Sequence, residues 1–197
     1  MRLVGLDIST KTGWSLTESG DADEPALLEF GLLRVEVDGF NVNDHPEKSR
    51  KYPKNIFDAA NKMAGLIKEL VEKLKPDHIV IENTVKAKNR ATQRILEFIH
   101  KAVLDWLIPS AIPYTYMDPS EWRSILDIRL SKDQKKNNRL VSQGKKRGRI
   151  GRKHLSIAEI NKVYGLKLLL KDNDAADSLN LNRAMHRRIR GENGKSQ

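Results

Sequence analysis

Residues 2–16, Arg-Leu-Val-Gly-Leu-Asp-Ile-Ser-Thr-Lys-Thr-Gly-Trp-Ser-Leu, decide how the chain is read. Positions 2–8 form a nearly continuous apolar run, the pattern of a strand buried on both faces, and Asp7 breaks it close to its end. Lys11-Thr12-Gly13 gives a turn signal, and a second strand is predicted from Trp14. A bare carboxylate on such a strand is costly unless something positive neutralises it. The same cost recurs at Glu82, which closes the apolar run His78-Ile79-Val80-Ile81-Glu82. Two further acids, Asp174 and Asp177, stand three apart at the start of a predicted helix and so on one face, where the helix dipole favours negative charge. A pair of divalent ions would neutralise acids drawn from several elements. Two-metal phosphodiester hydrolysis requires such a set, with oxygen ligands holding ions roughly 3.5–4 Å apart.

Each acid also has an ordinary use. Asp172 or Asp174 could be a helix N-cap, Glu82 a solvated strand end, and Asp7 a turn residue paired with Lys11. Asp177 resists that treatment, because a second acid on the same turn adds repulsion that a cap does not need. Their joint occurrence in this order favours the metal reading.

Working outward, residues 26–37 end in strand-like alternation and supply a third strand. Ile56, Ala60, Met63, Ile67, Leu70 and Leu74 step by helical spacing, closed by Lys75-Pro76. A strand at 78–82 follows, then a helix with the stripe Ile95, Ile99, Ala102 and Trp106 ended by Pro109, a fifth strand at 113–117, and a helix opening at Asp118-Pro119-Ser120-Glu121. The order is βββαβαβα, an α/β chain. Helical periodicity resumes over 154–164 with Gly165 as its cap, and the last helix starts near Asp172. The polar segment 38–51 reads as loop. Apolar residues beside the main stripe of the second helix, Leu96, Val103 and Leu107, predict either a dimer interface or a helix sandwiched within one subunit. The domain reading is a single unit over 1–190 with a frayed tail at 191–197.

The 36 Lys and Arg against 26 Asp and Glu give a net charge of +10, which points to an anionic partner. With no cysteine, disulfides and thiol catalysis are excluded, which suits a reducing, cytoplasmic setting. No stretch approaches the ~20 apolar residues of a membrane span, so no membrane association is expected. Charge concentrates in 131–153, where 10 of 23 residues are Lys or Arg and one is acidic, with Gly144, Gly148 and Gly151 expected to interrupt any helix. This reads as a mobile basic arm or loop binding DNA through Lys132, Lys135, Lys136, Arg139, Lys145, Lys146, Arg147, Arg149, Arg152 and Lys153, or else as a solvated loop. Lys86, Lys88 and Arg90, just after Glu82 at a strand's C-terminal edge, are further candidate DNA contacts. Arg183, Arg187, Arg188 and Arg190 either extend that surface or satisfy the dipole of the last helix. Trp14, Trp106 and Trp122 could stack on bases, though core packing suits at least two of them. His154 either touches phosphate or begins a helix.

Three motifs, Gly5-Leu6-Asp7-Ile8-Ser9-Thr10-Lys11-Thr12-Gly13-Trp14, Ile79-Val80-Ile81-Glu82 and Asp174-Ala175-Ala176-Asp177-Ser178-Leu179, resemble in order those of RuvC-type Holliday junction resolvases of the ribonuclease H-like superfamily. The resemblance spans about residues 2–186, and a bacteriophage branch is suggested by size and style. It implies a central mixed five-stranded sheet flanked by helices, with Asp7, Glu82, Asp174 and Asp177 as catalytic metal ligands. It further implies two Mg²⁺ or Mn²⁺ ions per site, a homodimer, and paired nicks in four-way DNA junctions leaving 5′-phosphate and 3′-hydroxyl ends. Ile8-Ser9 replaces the Pro-Gly usual in the cellular family, and 131–153 is longer and more basic than a compact resolvase needs, which bears on junction selectivity. Rival readings are a related nuclease acting on flaps, forks or RNA–DNA hybrids, and a non-catalytic junction-binding protein. An actin-like ATPase is disfavoured by the lack of a second glycine-rich phosphate loop.

Overall fold

The computed structural model describes residues 1–37, 51–83, 90–144 and 148–191. Five strands, β1 (Arg2–Asp7), β2 (Lys11–Glu18), β3 (Ala26–Arg34), β4 (His78–Glu82) and β5 (Tyr114–Met117), form one sheet in the order β3-β2-β1-β4-β5. The first three strands pair antiparallel, while β1–β4 and β4–β5 are parallel, so the sheet is mixed as expected. Strand β2 begins at Lys11, earlier than the turn signal suggested. The turn lies at Ile8–Thr10, where Ser9 N–H donates to Thr12 Oγ1 at 3.1 Å and Lys11 N–H to Ser9 Oγ at 3.0 Å.

Six helices follow: α1 (Lys54–Leu74), α2 (Arg90–Leu107), α3 (Pro119–Ile125), α4 (Lys132–Ser142), α5 (Arg152–Tyr164) and α6 (Asn173–Ile189). The α1 stripe is buried as its spacing predicts, and Lys75 ends the helix in the left-handed region at φ 48°. Alternation along the strands separates two faces. Val4, Leu6, Ile79 and Ile81 join α1 and α2 in the main core. On the other face, Val80 packs with Met117, Trp122 and Leu181, so that α6 lies over β2, β1 and β4 and is flanked by α3 and α5. In α2, Val103 and Leu107 are fully buried in the main core, so the sandwiched reading holds for these two residues and they offer no interface.

Where an arm or loop was expected over 131–153, residues 132–142 form the helix α4. Ser131 and Gln134 form a reciprocal capping box, each side chain bonded to the other's backbone N–H at 3.2 and 2.9 Å, and no Gly or Pro intervenes before Gln143. Asn138 then bonds both backbone groups of Ile150, at 2.7 and 2.9 Å, which ties the returning chain to α4. Local capping outweighs the glycines because they all lie beyond the helix. Helix α5 starts at Arg152, where His154 Nδ1 accepts the Gly151 N–H, the helix-starting role. Gly165 caps it at φ 64°.

Helix α6 approaches the sheet to within backbone contact. A Cβ at Gly5 would lie 2.2 Å from the Ser178 carbonyl oxygen, and one at Gly13 would lie 2.0 Å from that of Asp174. Asn182 secures the crossing by donating to the Leu3 carbonyl at 3.2 Å and to Ser15 Oγ at 3.1 Å. No helix among the described residues is long and apolar enough to cross a membrane.

Candidate active site

Period-two alternation puts Asp7 on the α6 side of β1 with Leu3 and Gly5, and Glu82 on the same side of β4 with Val80. Parallel pairing of Leu6 with Ile81 sets the two acids side by side at adjacent strand ends. The close seat of α6 brings Asp177 down onto them. Carboxylate oxygens of Asp7, Glu82 and Asp177 lie within 4.8 Å of one another.

Asp174 stands beside this trio rather than within it. Its carboxylate pairs with Lys11 Nζ at 3.1 Å and accepts a hydrogen bond from the Asn173 amide. Lys11 therefore partners Asp174 and not Asp7. Asp172 stands at the N-cap position of α6 but receives the Leu169 N–H at 3.0 Å, one turn back.

Three neighbours that the sequence did not single out for this place hold the acids. Trp122, fully buried in the core of the α6 side, donates its indole N–H to Glu82 Oε1 at 2.8 Å. Ser156 donates to Asp177 Oδ1 at 2.5 Å and receives the Asn180 amide at 2.8 Å. Arg123 stacks its guanidinium 4.2 Å from the Trp122 ring centre and feels the charges of Asp177, Glu82 and Asp7. Asn83, next to Glu82, donates to Asp118 at 2.8 Å, so the N-cap and the middle of α3 brace the end of β4.

Burial, then the neighbouring Glu82, Asp177 and Asp174 charges, hold the Asp7 carboxyl well above its ordinary range. Burial also raises Glu82, against the opposing Trp122 hydrogen bond and Arg123 charge. Asp177 is pushed up to about 7, chiefly by burial and by Glu82. Three acids this close in a site of low polarity repel one another, and hard oxygen donors in such number suit Mg²⁺ or Mn²⁺. The donor set fits the ions implied by the resemblance.

The other candidate residues divide in three. Lys132, Lys135, Lys136 and Arg139 lie exposed on α4, with Arg149, Arg152 and Lys153 exposed after it and Arg90 exposed at the start of α2. Lys86, Lys88, Lys145, Lys146 and Arg147 lie outside the described residues. Arg183, Arg187 and Arg188 are spent on internal ion pairs: Arg183 is 1% exposed and bonded to Glu24 at 2.5 Å and Glu159 at 3.2 Å, Arg187 to Glu24, and Arg188 to Glu121. Arg190 pairs with Asp23 at 3.4 Å. A cavity of about 360 Å³ lined by Ser120, Arg123, Arg129 and Arg152 lies between α3 and the start of α5.

No protein-family profile matches the chain, and no curated protein matches it in sequence. Solved structures do. Thermus thermophilus RuvC in complex with a Holliday junction substrate superposes with a TM-score of 0.64 at 13% identity, covering 98% of each chain. The yeast mitochondrial Holliday junction resolvase Ydc2 gives 0.56 at 16% identity over 97% of this chain and 80% of its own. Fowlpox virus resolvase in complex with junction DNA gives 0.50 at 11% identity over 96% and 99%. The chain has the fold of these resolvases, the mixed five-stranded sheet flanked by helices that the resemblance implied.

Proposed function

We propose that this protein is a metal-dependent endonuclease that resolves four-way DNA junctions by paired nicks, acting as a homodimer with two Mg²⁺ or Mn²⁺ ions in each site. The observation that carries the reading is the convergence of Asp7, Glu82 and Asp177 from β1, β4 and α6 within 4.8 Å, on a chain whose net charge is +10. Asp7, Glu82 and Asp177 would hold the ions, and Asp174 would join them on release from Lys11. Bound there, the ions supply an activated water and stabilise charge on the leaving 3′-oxygen. The chain's own groups do the rest. Trp122 and Ser156 each fix one carboxylate oxygen, of Glu82 and of Asp177, and so orient the two acids. Arg123 offers a cation to the phosphate being cut, and α4 holds flanking backbone.

The direct test is cleavage of end-labelled four-way junction, flap, duplex and RNA–DNA hybrid substrates in Mg²⁺ and in Mn²⁺. Symmetrical paired nicks in the junction are expected, and preferential cutting of flaps or hybrids would replace the substrate while keeping the site. Tight junction binding without cleavage would favour a binding protein.

Two further results are expected. Without divalent ion, folded Asp177 keeps a proton up to about pH 7 that the unfolded chain releases near the ordinary carboxylate value of 3.8, so stability falls as pH rises across that window. Ligation removes this penalty. The rise in melting temperature on adding Mg²⁺ or Mn²⁺ should therefore be greater near pH 8 than at about pH 5, and an equal rise would argue against the acid cluster as the binding site. Replacing Lys132, Lys135, Lys136 and Arg139 together by Ala should make the salt dependence of junction binding shallower, by about 0.9 in the log–log slope for each phosphate no longer neutralised. An unchanged slope would remove α4 from the interface.

A further inference from the structure

Lys11 stands at the start of β2 with its root fixed by hydrogen bonds. Its own N–H donates to Ser9 Oγ at 3.0 Å, Thr12 Oγ1 donates to the Ser9 carbonyl at 2.8 Å, and the Val35 N–H donates to the Thr10 carbonyl at 3.0 Å. Two residues on, Gly13 lets the backbone of Asp174 sit directly against β2. The Lys11 ammonium therefore meets the start of α6, where it pairs with Asp174 Oδ2 at 3.1 Å and donates to the Lys171 carbonyl.

That pairing divides the four acids. Asp7, Glu82 and Asp177 gather oxygens within 4.8 Å of one another. Asp174 is near enough for its charge to act on all three, yet its Oδ2 is taken by Lys11 and its Oδ1 by the Asn173 amide. An ammonium and a divalent ion are rivals for one carboxylate, because both are drawn by the same charge. The pair is also suited to exchange. Its side chains are 29% and 19% exposed, so water screens it, and pairs of this kind shift an equilibrium by about fivefold or less. Arg183 has the opposite design, 1% exposed and bonded to both Glu24 and Glu159. A compact ammonium on a flexible stem gives way to a doubly charged ion more readily than a buried guanidinium fork does.

We infer that Lys11 is a positioning residue that competes with the ions for Asp174 and thereby sets the divalent-ion concentration at which the site fills. The inference rests on the metal-nuclease reading and adds to it the residue that regulates the site. Ions that recruit Asp174 must first break its contact with Lys11. The site therefore fills at an ion concentration about fivefold higher than it would with Asp174 unpaired, since ligand charge sets the affinity of such sites.

The test is calorimetric titration of the whole protein with Mn²⁺ in the absence of DNA. Lys11→Gln should bind Mn²⁺ about fivefold more tightly than the wild type, and Lys11→Arg, which keeps the charge, should stay within about twofold of it. Lys11→Met is the second uncharged variant and should match Lys11→Gln, with melting in EDTA confirming that each is folded. The deciding comparison is a double-mutant cycle: in an Asp174→Asn background the gain from Lys11→Gln should fall below about twofold, because the competition needs the Asp174 charge. The Mg²⁺ concentration for half-maximal junction cleavage should drop in Lys11→Gln by the same factor as the Mn²⁺ affinity rises. Unchanged Mn²⁺ affinity in both uncharged variants would overturn the inference. So would an equal gain in the Asp174→Asn background, which would make Lys11 a bare charge repelling the ions, or weaker binding in Lys11→Gln and Lys11→Met, which would make it a structural tie. Each of these leaves the nuclease reading in place. Failure of the wild-type protein to take up Mn²⁺ at all would instead remove that reading, and the role of Lys11 with it.

Discussion

Replacing Asp7 by Asn is expected to lower junction cleavage by on the order of 10³-fold or more while leaving the fold intact. Metal ions supply several kcal/mol of transition-state stabilisation in such reactions, and each 1.36 kcal/mol is about tenfold in rate. Asp7 has the largest share of the mutual repulsion, because Glu82, Asp177 and Asp174 all raise it. Removing its charge would weaken the hold of the acid cluster on the ions and relieves that repulsion in the metal-free protein. Cleavage should therefore collapse while the melting temperature in EDTA stays level or rises, and metal titration by calorimetry should lose most of its heat. The two readouts together exclude simple unfolding. Undiminished metal binding by the Asn variant would remove Asp7 from the site, and cleavage near the wild-type rate would remove the acid cluster from the chemistry.

Gly13→Ala should be the most damaging change at a residue that has no side chain and no part in the chemistry. Its Cβ would lie 2.0 Å from the Asp174 carbonyl oxygen and 2.6 Å from the Ala175 nitrogen, both backbone atoms of α6. No rotamer relieves that contact, so the first turn of α6 must lift from β2 by about an ångström, which carries Asp174 and Asp177 away from Asp7 and Glu82. A displacement of that size costs about 10²-fold in rate where geometry controls the reaction, and overpacking costs about 1–3 kcal/mol of stability. Gly20→Ala, with nothing near its Cβ, serves as control and should be silent. A wild-type rate for Gly13→Ala would show that the helix tolerates the shift and that the seat of α6 does not set the site's geometry.

The four acids were readable because each is marked by its own neighbours. Asp7 and Glu82 interrupt or end apolar runs, and Asp174 and Asp177 have helical spacing at a helix start. The α1 stripe and the alternation of β1 and β4 were readable for the same reason, since periods of 3.6 and 2 need only nearby residues. Trp122, Arg123 and Ser156 carry no such mark. Trp122 is separated by 40 residues from Glu82, and Ser156 by 21 from Asp177, and they meet only because α3 and α5 flank α6 on one face of the sheet. Gly13 reads as a turn residue among its immediate neighbours, yet it lies within β2 facing a helix some 160 positions further along the chain. The arginines of α6 offered two readings to the sequence, a basic surface or dipole compensation. Packing gave Arg183, Arg187 and Arg188 a third, ion pairs with Glu24, Glu159 and Glu121.

The sequence by itself determined the class of fold, the order of its strands and of the helices other than α4, and the candidate acids, because backbone periodicity and the cost of burying charge act over a few residues. Tertiary structure alone decided which three acids converge, that Asp174 answers to Lys11, and that the arginines of α6 are taken up by ion pairs. Those outcomes depend on how closely α6 and its neighbours seat on the sheet, a matter of side-chain volume and hydrogen bonding between residues remote in the chain, which no local pattern encodes.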